Sequence, residues 1–181
     1  MSKIVKCLEN RKITDNFWLH EFIAGTEVAQ KGQEMAWEQL KEFQTNSLVS
    51  LNNVISNIEI SAKELQYLRD IINFHFKVKN NNIEIGIEIT SGYRPVKCEI
   101  HQKRKGTSQH TKGHAKDIRV TNIKDDALYN EIMLFIYNHY DIERSWSGGL
   151  AYKNSTLKEH KKRPYRFIHI DHRKNKARWT Y

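Results

Sequence analysis

The chain has 181 residues, 39% of them hydrophobic and 28% charged, and its 30 Lys and Arg against 21 Asp and Glu give a formal net charge of +9. That length is enough for one domain to bury a core without disulfide or metal staples, and no apolar run approaches the ~20 residues needed to span a bilayer. Residues 1–16 hold no apolar stretch of signal-peptide type and are interrupted by Glu9 and Asp15, so the chain is expected to be made in the cytoplasm with no N-terminal secretion signal.

Taken in chain order, the first 80 residues read as largely helical. Residues 27–43 carry Ala36, Trp37, Leu40 and Phe43 at helical spacing. A second helix is marked by Ser61 and Glu64 in a capping-box pattern ahead of Leu65, Leu68, Ile71, Ile72 and His75. Beyond residue 80 the period changes to two: Ile83, Ile85, Ile87 and Ile89 alternate with Glu84, Gly86, Glu88 and Thr90, the pattern of a half-buried strand. The strand runs into a turn, Ser91-Gly92-Tyr93-Arg94-Pro95, and a polar loop is expected over residues 97–112. A strand over residues 114–120 follows, then a helix capped by Asp125 or Asp126 that carries Leu128, Ile132, Phe135 and Ile136. Strand-like segments near residues 145–152 and 165–172, joined by a charged connection at 158–163, complete an α+β order with a mainly antiparallel sheet. Two prolines and eight glycines leave little linker material, so residues 1–181 are expected to form a single domain.

Cys7 and Cys98 are too sparse for a disulfide framework and read as free thiols. Cys98 with His101 is a weak metal pattern, set among lysines and arginines that repel a cation. The basic balance favours polyanionic partners, and both nucleic acid and bacterial cell wall qualify.

Three segments carry chemistry: residues 108–117, residues 167–173 and the strand end Thr90-Ser91-Gly92-Tyr93-Arg94. A catalytic zinc site takes three protein ligands, usually histidine nitrogens and a carboxylate, and leaves a fourth position open. His110 and Asp117 are seven residues apart with Gly113 between them, which suits a turn followed by a strand. His169, between Ile168 and Ile170, reads alone as a satisfied core histidine and beside the other segments as a third ligand. His110 and His114 are also four apart, but without a glutamate between them and with Gly113 weakening any helix they do not form the helical zinc-protease pair.

Ser108, His110, Gly113, Ala115 and Asp117 match the S-x-H-x-x-G-x-A-x-D signature of the zinc D-Ala-D-Ala carboxypeptidases, which share a fold with the Hedgehog signalling domain. Ser91-Gly92-Tyr93-Arg94 resembles the family's upstream segment. Phe167-Ile168-His169-Ile170-Asp171 with Ala177-Arg178-Trp179 is similar to the ending of its murein endopeptidase branch, and Gly148-Gly149-Leu150-Ala151-Tyr152 resembles a glycine-rich strand there. The resemblance covers residues 83–181; Asn16-Phe17 and Glu21-Phe22 resemble the branch's lead-in loosely, and residues 30–80 match nothing in it.

The resemblance implies a Hedgehog/DD-peptidase-like sheet with flanking helices and an enlarged helical N-terminal section, holding one Zn2+ on His110, Asp117 and His169. It implies a metallopeptidase that hydrolyses peptide bonds involving D-amino acids in peptidoglycan stem peptides, as a carboxypeptidase or an endopeptidase. Such an enzyme acts at the cell wall and suits a phage lysis or virion protein. Arg94 would bind a substrate carboxylate or stabilise the oxyanion, and Ser108 would line the same pocket. The wider family places Glu or Asp three residues before the last histidine ligand as general base, and here that position is Arg166. Asp171 is then expected as the base, with His172 and His114 as further candidates; its other reading is a residue that orients a ligand imidazole. An alternative is a degenerate member that binds peptidoglycan or a protein partner without cutting. His169-Ile170-Asp171-His172 followed by Arg173-Lys174-Asn175 has the look of the start of an HNH nuclease motif, but the further Asn and His that motif needs do not follow before Tyr181, so nucleic acid is not the expected partner.

Overall fold

A computed structural model of the chain describes residues 11–23, 29–154 and 165–181. In chain order it contains a 3₁₀ turn at Leu19–Phe22, α1 (Ala29–Asn46), α2 (Leu48–Phe76), β1 (Gly86–Ser91), α3 (Val96–His101), a 3₁₀ turn at Gln109–Lys112, β2 (Ala115–Thr121), α4 (Asp126–Asn138), a π turn at His139–Glu143, β3 (Gly149–Asn154), β4 (Tyr165–Asp171) and β5 (Ala177–Thr180). The sheet has five strands in the order β1-β2-β4-β3-β5 and is mostly antiparallel, so the class is mixed α and β as the sequence order implied. No helix among the described residues is long and apolar enough to cross a membrane.

By contact the residues group into two compact units, 1–66 with 89–116 and 67–88 with 117–181. In the first, α1 buries Ala36 and Leu40, and α2 buries Leu51, Val54, Ile55, Ile58, Ala62 and Leu65. Those α2 positions recur at intervals of three and four, so one stripe of the helix faces the core. Ahead of the helices, Phe17 and Phe22 pack edge to face at 6.2 Å, and the Phe22 carbonyl accepts the Tyr93 N–H at 2.6 Å, tying the first 3₁₀ turn to the end of β1. Pro95 precedes α3 in an extended conformation, a position where its missing N–H costs nothing.

In the second unit, α2 contributes Leu68, Ile72 and Phe76, and α4 contributes Leu128, Ile132, Met133 and Ile136. Phe76 and Phe135 meet edge to face at 5.1 Å. Asp125 caps α4 by accepting the Leu128 N–H at 2.6 Å. β3 and β4 pair antiparallel with Ala151 opposite His169, and β5 pairs parallel to β3 with Ala151 opposite Trp179.

The structure corrects several local expectations. Ser61 does not start a helix: it is buried in the interior of one that begins at Leu48, where Ser47 Oγ accepts the Ser50 N–H at 3.4 Å. Glu64 is not a capping residue; its carboxylate pairs with Lys116. The expected loop at 97–112 contains α3 and a 3₁₀ turn. The strand expected near 145–152 begins only at Gly149, and β5 was not anticipated as a strand. Ile83 is 48% exposed and precedes β1, whereas Ile85, Ile87 and Ile89 are buried as their alternation required. His75 is exposed, against the rings of Phe74 and Phe135. The connection at 158–163 lies outside the described residues.

Candidate metal centre

The signature segment folds as a turn whose ends are chemically fixed. Ser108 sits in an extended conformation, and its Oγ accepts the His110 N–H at 3.3 Å, the work of an N-cap. Gly113 closes the turn at φ +71°, a left-handed conformation that costs an L side chain ~1–2 kcal/mol. A Cβ there would also stand 2.9 Å from the Val54 carbonyl of α2. Between these ends His110 is 1% exposed, and its Nδ1–H donates to the Gly92 carbonyl at 2.6 Å. That bond assigns the proton to Nδ1 and puts the lone pair of the neutral ring on Nε2. From Gly113 the chain enters β2, where Ala115, Lys116 and Asp117 are all buried.

His169, on β4, is 3% exposed. Its Nδ1 lies 2.7 Å from Asp117 Oδ1 and its Nε2 lies 3.0 Å from Asp171 Oδ2. The Trp179 ring packs 5.1 Å away. Burial opposes a charge on the ring, but the hydrogen bonds to Asp117 and Asp171 outweigh it and hold His169 above the ordinary histidine pKa. Asp171 is fully buried. Burial would raise its pKa, yet hydrogen bonds from His169 and Arg173 prevail and hold the carboxyl well below the usual range.

One ligand atom from each of His110, Asp117 and His169 lies within 4.8 Å of the others, and all three residues are buried. This group could hold a metal ion. Two features suit a metal ion. The donors are two imidazoles and a carboxylate. Each imidazole also places its other nitrogen against an oxygen acceptor, Gly92 carbonyl for His110 and Asp171 for His169, the arrangement that orients metal-bound histidines.

Arg94 is placed close by in the backbone, its N–H donating to the His110 carbonyl at 3.2 Å. Its guanidinium is held by buried Glu99 through Nε at 2.7 Å and by Ser91 Oγ through Nη1 at 3.0 Å. Ser108 serves the turn through its hydroxyl, a local role beside the pocket role the sequence suggested. His114 and His172 are each half-buried, the latter against Trp146 at 5.1 Å. Cys98 is a free, buried thiol whose pKa burial pushes up, and His101 is exposed, so among the described residues the Cys-x-x-His pattern gathers no ligand set.

Sequence reasoning missed Glu99, the Glu64–Lys116 pair, Arg173 and the packing of Trp179 on His169. Only Arg173 carried a local signal, since it stands two residues after Asp171 in a strand ending. Comparison of the chain with protein-family models, with curated proteins and with solved structures found no match.

Proposed function

We propose that the chain is a zinc-dependent peptidase acting on peptide bonds that involve D-amino acids in bacterial peptidoglycan. The observation that carries this reading is the buried convergence of His110, Asp117 and His169, joined to the five-position signature that contains two of them. His110 through Nε2, Asp117 through its carboxylate and His169 through Nδ1 would hold the ion. When bound there, zinc supplies Lewis acidity, polarising a scissile carbonyl and acidifying water. Gly92 and Asp171 orient the two imidazoles. Arg94, steadied by Glu99 and Ser91, presents a cation suited to a substrate carboxylate or a developing oxyanion. Proton transfer would fall to a group that reaches both the substrate and solvent, and the half-buried His172 and His114 are the candidates for it. The exposed Lys103 and Lys105 suit the wall's anionic polymers.

Metal analysis of the purified chain, with release of peptide termini from isolated murein, tests the reading. One zinc per chain is expected, and His110→Ala or Asp117→Ala should remove both metal and release. A wild-type chain that neither contains nor takes up zinc refutes it. A second reading, a chain that binds peptidoglycan without cutting it, is favoured by Arg166 at the position of the family's acidic residue and by the full engagement of the Asp171 carboxylate. Zinc uptake and sacculus binding with no release of termini would establish it.

A further inference from the structure

We propose that Arg173 and Asp171 form a clamp that positions His169 for the metal, and that Asp171 acts through this contact and not as the general base. This rests on the metal reading of the centre. The contacts on the Asp171 carboxylate are complete. Oδ1 accepts the Gly149 N–H at 3.0 Å, the Arg173 N–H at 3.0 Å and Arg173 Nε at 2.9 Å. Oδ2 accepts Arg173 Nε at 3.0 Å and Arg173 Nη2 at 2.6 Å, and lies 3.0 Å from His169 Nε2. A carboxylate offers about four lone-pair positions, and these donors fill them. The residue's own carbonyl is taken as well, by Trp146 Nε1–H at 3.2 Å.

A general base must come within hydrogen-bond reach of the proton it removes. Asp171 is 0% exposed, and among the described residues its contact toward the centre is His169 Nε2. What it does there is fix a ring. With Nε2–H directed at Oδ2, Nδ1 is turned to the side where Asp117 Oδ1 stands at 2.7 Å, and it is this nitrogen, on losing its proton, that would meet the metal. Arg173 holds the carboxylate from behind, and its guanidinium also lies over the Trp179 ring at 4.8 Å, the same ring that packs 5.1 Å from His169. The imidazole is therefore gripped through a hydrogen bond on its edge and through an aromatic neighbour, both secured by one arginine. Gly149 is part of the device: a Cβ there would press into the Asp171 carboxylate and stand 2.7 Å from Arg173 Nε. Precise placement of the ligand by such outer contacts is commonly worth ~10- to 100-fold in metal affinity.

Three variants test the clamp in the full chain: Asp171→Asn, Arg173→Gln and Gly149→Ala. Zinc affinity is read by competition with a chromogenic chelator, ligand geometry by the visible absorption of the cobalt(II)-substituted protein, and folding by melting of the zinc-free chain. A clamp predicts that each variant binds zinc ~10- to 100-fold more weakly and shifts the cobalt spectrum, while excess zinc restores wild-type release of murein peptides. Wild-type affinity and an unshifted spectrum in both Arg173→Gln and Gly149→Ala would overturn it, and so would Asp171→Asn that binds zinc normally but stays slow at saturating zinc, the behaviour of a lost base. Should Asp171→Asn fail to fold, the other two variants decide. A wild type that binds no zinc overturns the metal reading and the clamp together, whereas a zinc-binding wild type with indifferent variants overturns the clamp alone.

Discussion

Lys116 is the least expected residue in the core: a full-length cation at 0% exposure, one position before Asp117 in β2. Its ammonium is paired with Glu64, whose side chain is 7% exposed, from the middle of α2. Removing one partner of a buried ion pair leaves a charge in a medium that solvates it poorly, at a cost of ~3–5 kcal/mol. Glu64→Ala should therefore remove a large part of a domain stability that is typically ~5–15 kcal/mol. For a chain of this size the melting temperature should fall by roughly 6–20 °C. The double replacement Glu64→Met with Lys116→Met removes both charges while keeping most of the volume, and should return to within about 1 kcal/mol of wild type. Urea unfolding of the three proteins supplies the numbers, provided the slopes agree. A single variant that loses less than about 1 kcal/mol, or a double variant no more stable than the single, would show that this ion pair does not carry the stability assigned to it.

Arg94→Ala should act on both folding and function. Glu99 keeps a side chain only 2% exposed and loses its 2.7 Å partner, so urea unfolding should show a loss of ~1–3 kcal/mol, and release of murein peptides should fall ~30- to 1000-fold; a stability loss with wild-type activity per folded molecule would assign Arg94 to holding Glu99 alone. Lys103→Gln with Lys105→Gln, both exposed, should weaken sedimentation with intact sacculi and reduce its salt sensitivity, leaving hydrolysis of a small soluble muropeptide unchanged; equal losses on both substrates would place these lysines in the site. Asp125→Ala removes the cap on the Leu128 N–H and should cost ~1 kcal/mol in thermal unfolding, with zinc binding intact.

Several features were legible in the sequence because they depend on neighbours along the chain. The alternation of Ile85, Ile87 and Ile89 sets which face of β1 is buried, whatever the sheet order. Asp125 caps α4 through an atom three residues on. The spacing of Ser108, His110, Gly113 and Asp117 encodes a capped turn entering a strand, and the structure draws donor atoms of His110, Asp117 and His169 within 4.8 Å.

Other features were decided only by tertiary structure, because their partners are remote in sequence or their local signal points elsewhere. Ser61 and Glu64 have the chemistry of a helix start, but continuous apolar burial from Leu51 to Leu65 carries α2 straight through them, and Glu64 is taken by a lysine 52 residues away. The four residues of β5 are too short to stand out by period, and their strand character comes from parallel pairing with β3. Asp171 in the sequence is simply a carboxylate near a histidine. Its enclosure by Gly149, Arg173 and His169 exists only once β3 lies beside β4 with Gly149 opposite Asp171, since hydrogen bonds and burial are properties of the packed chain.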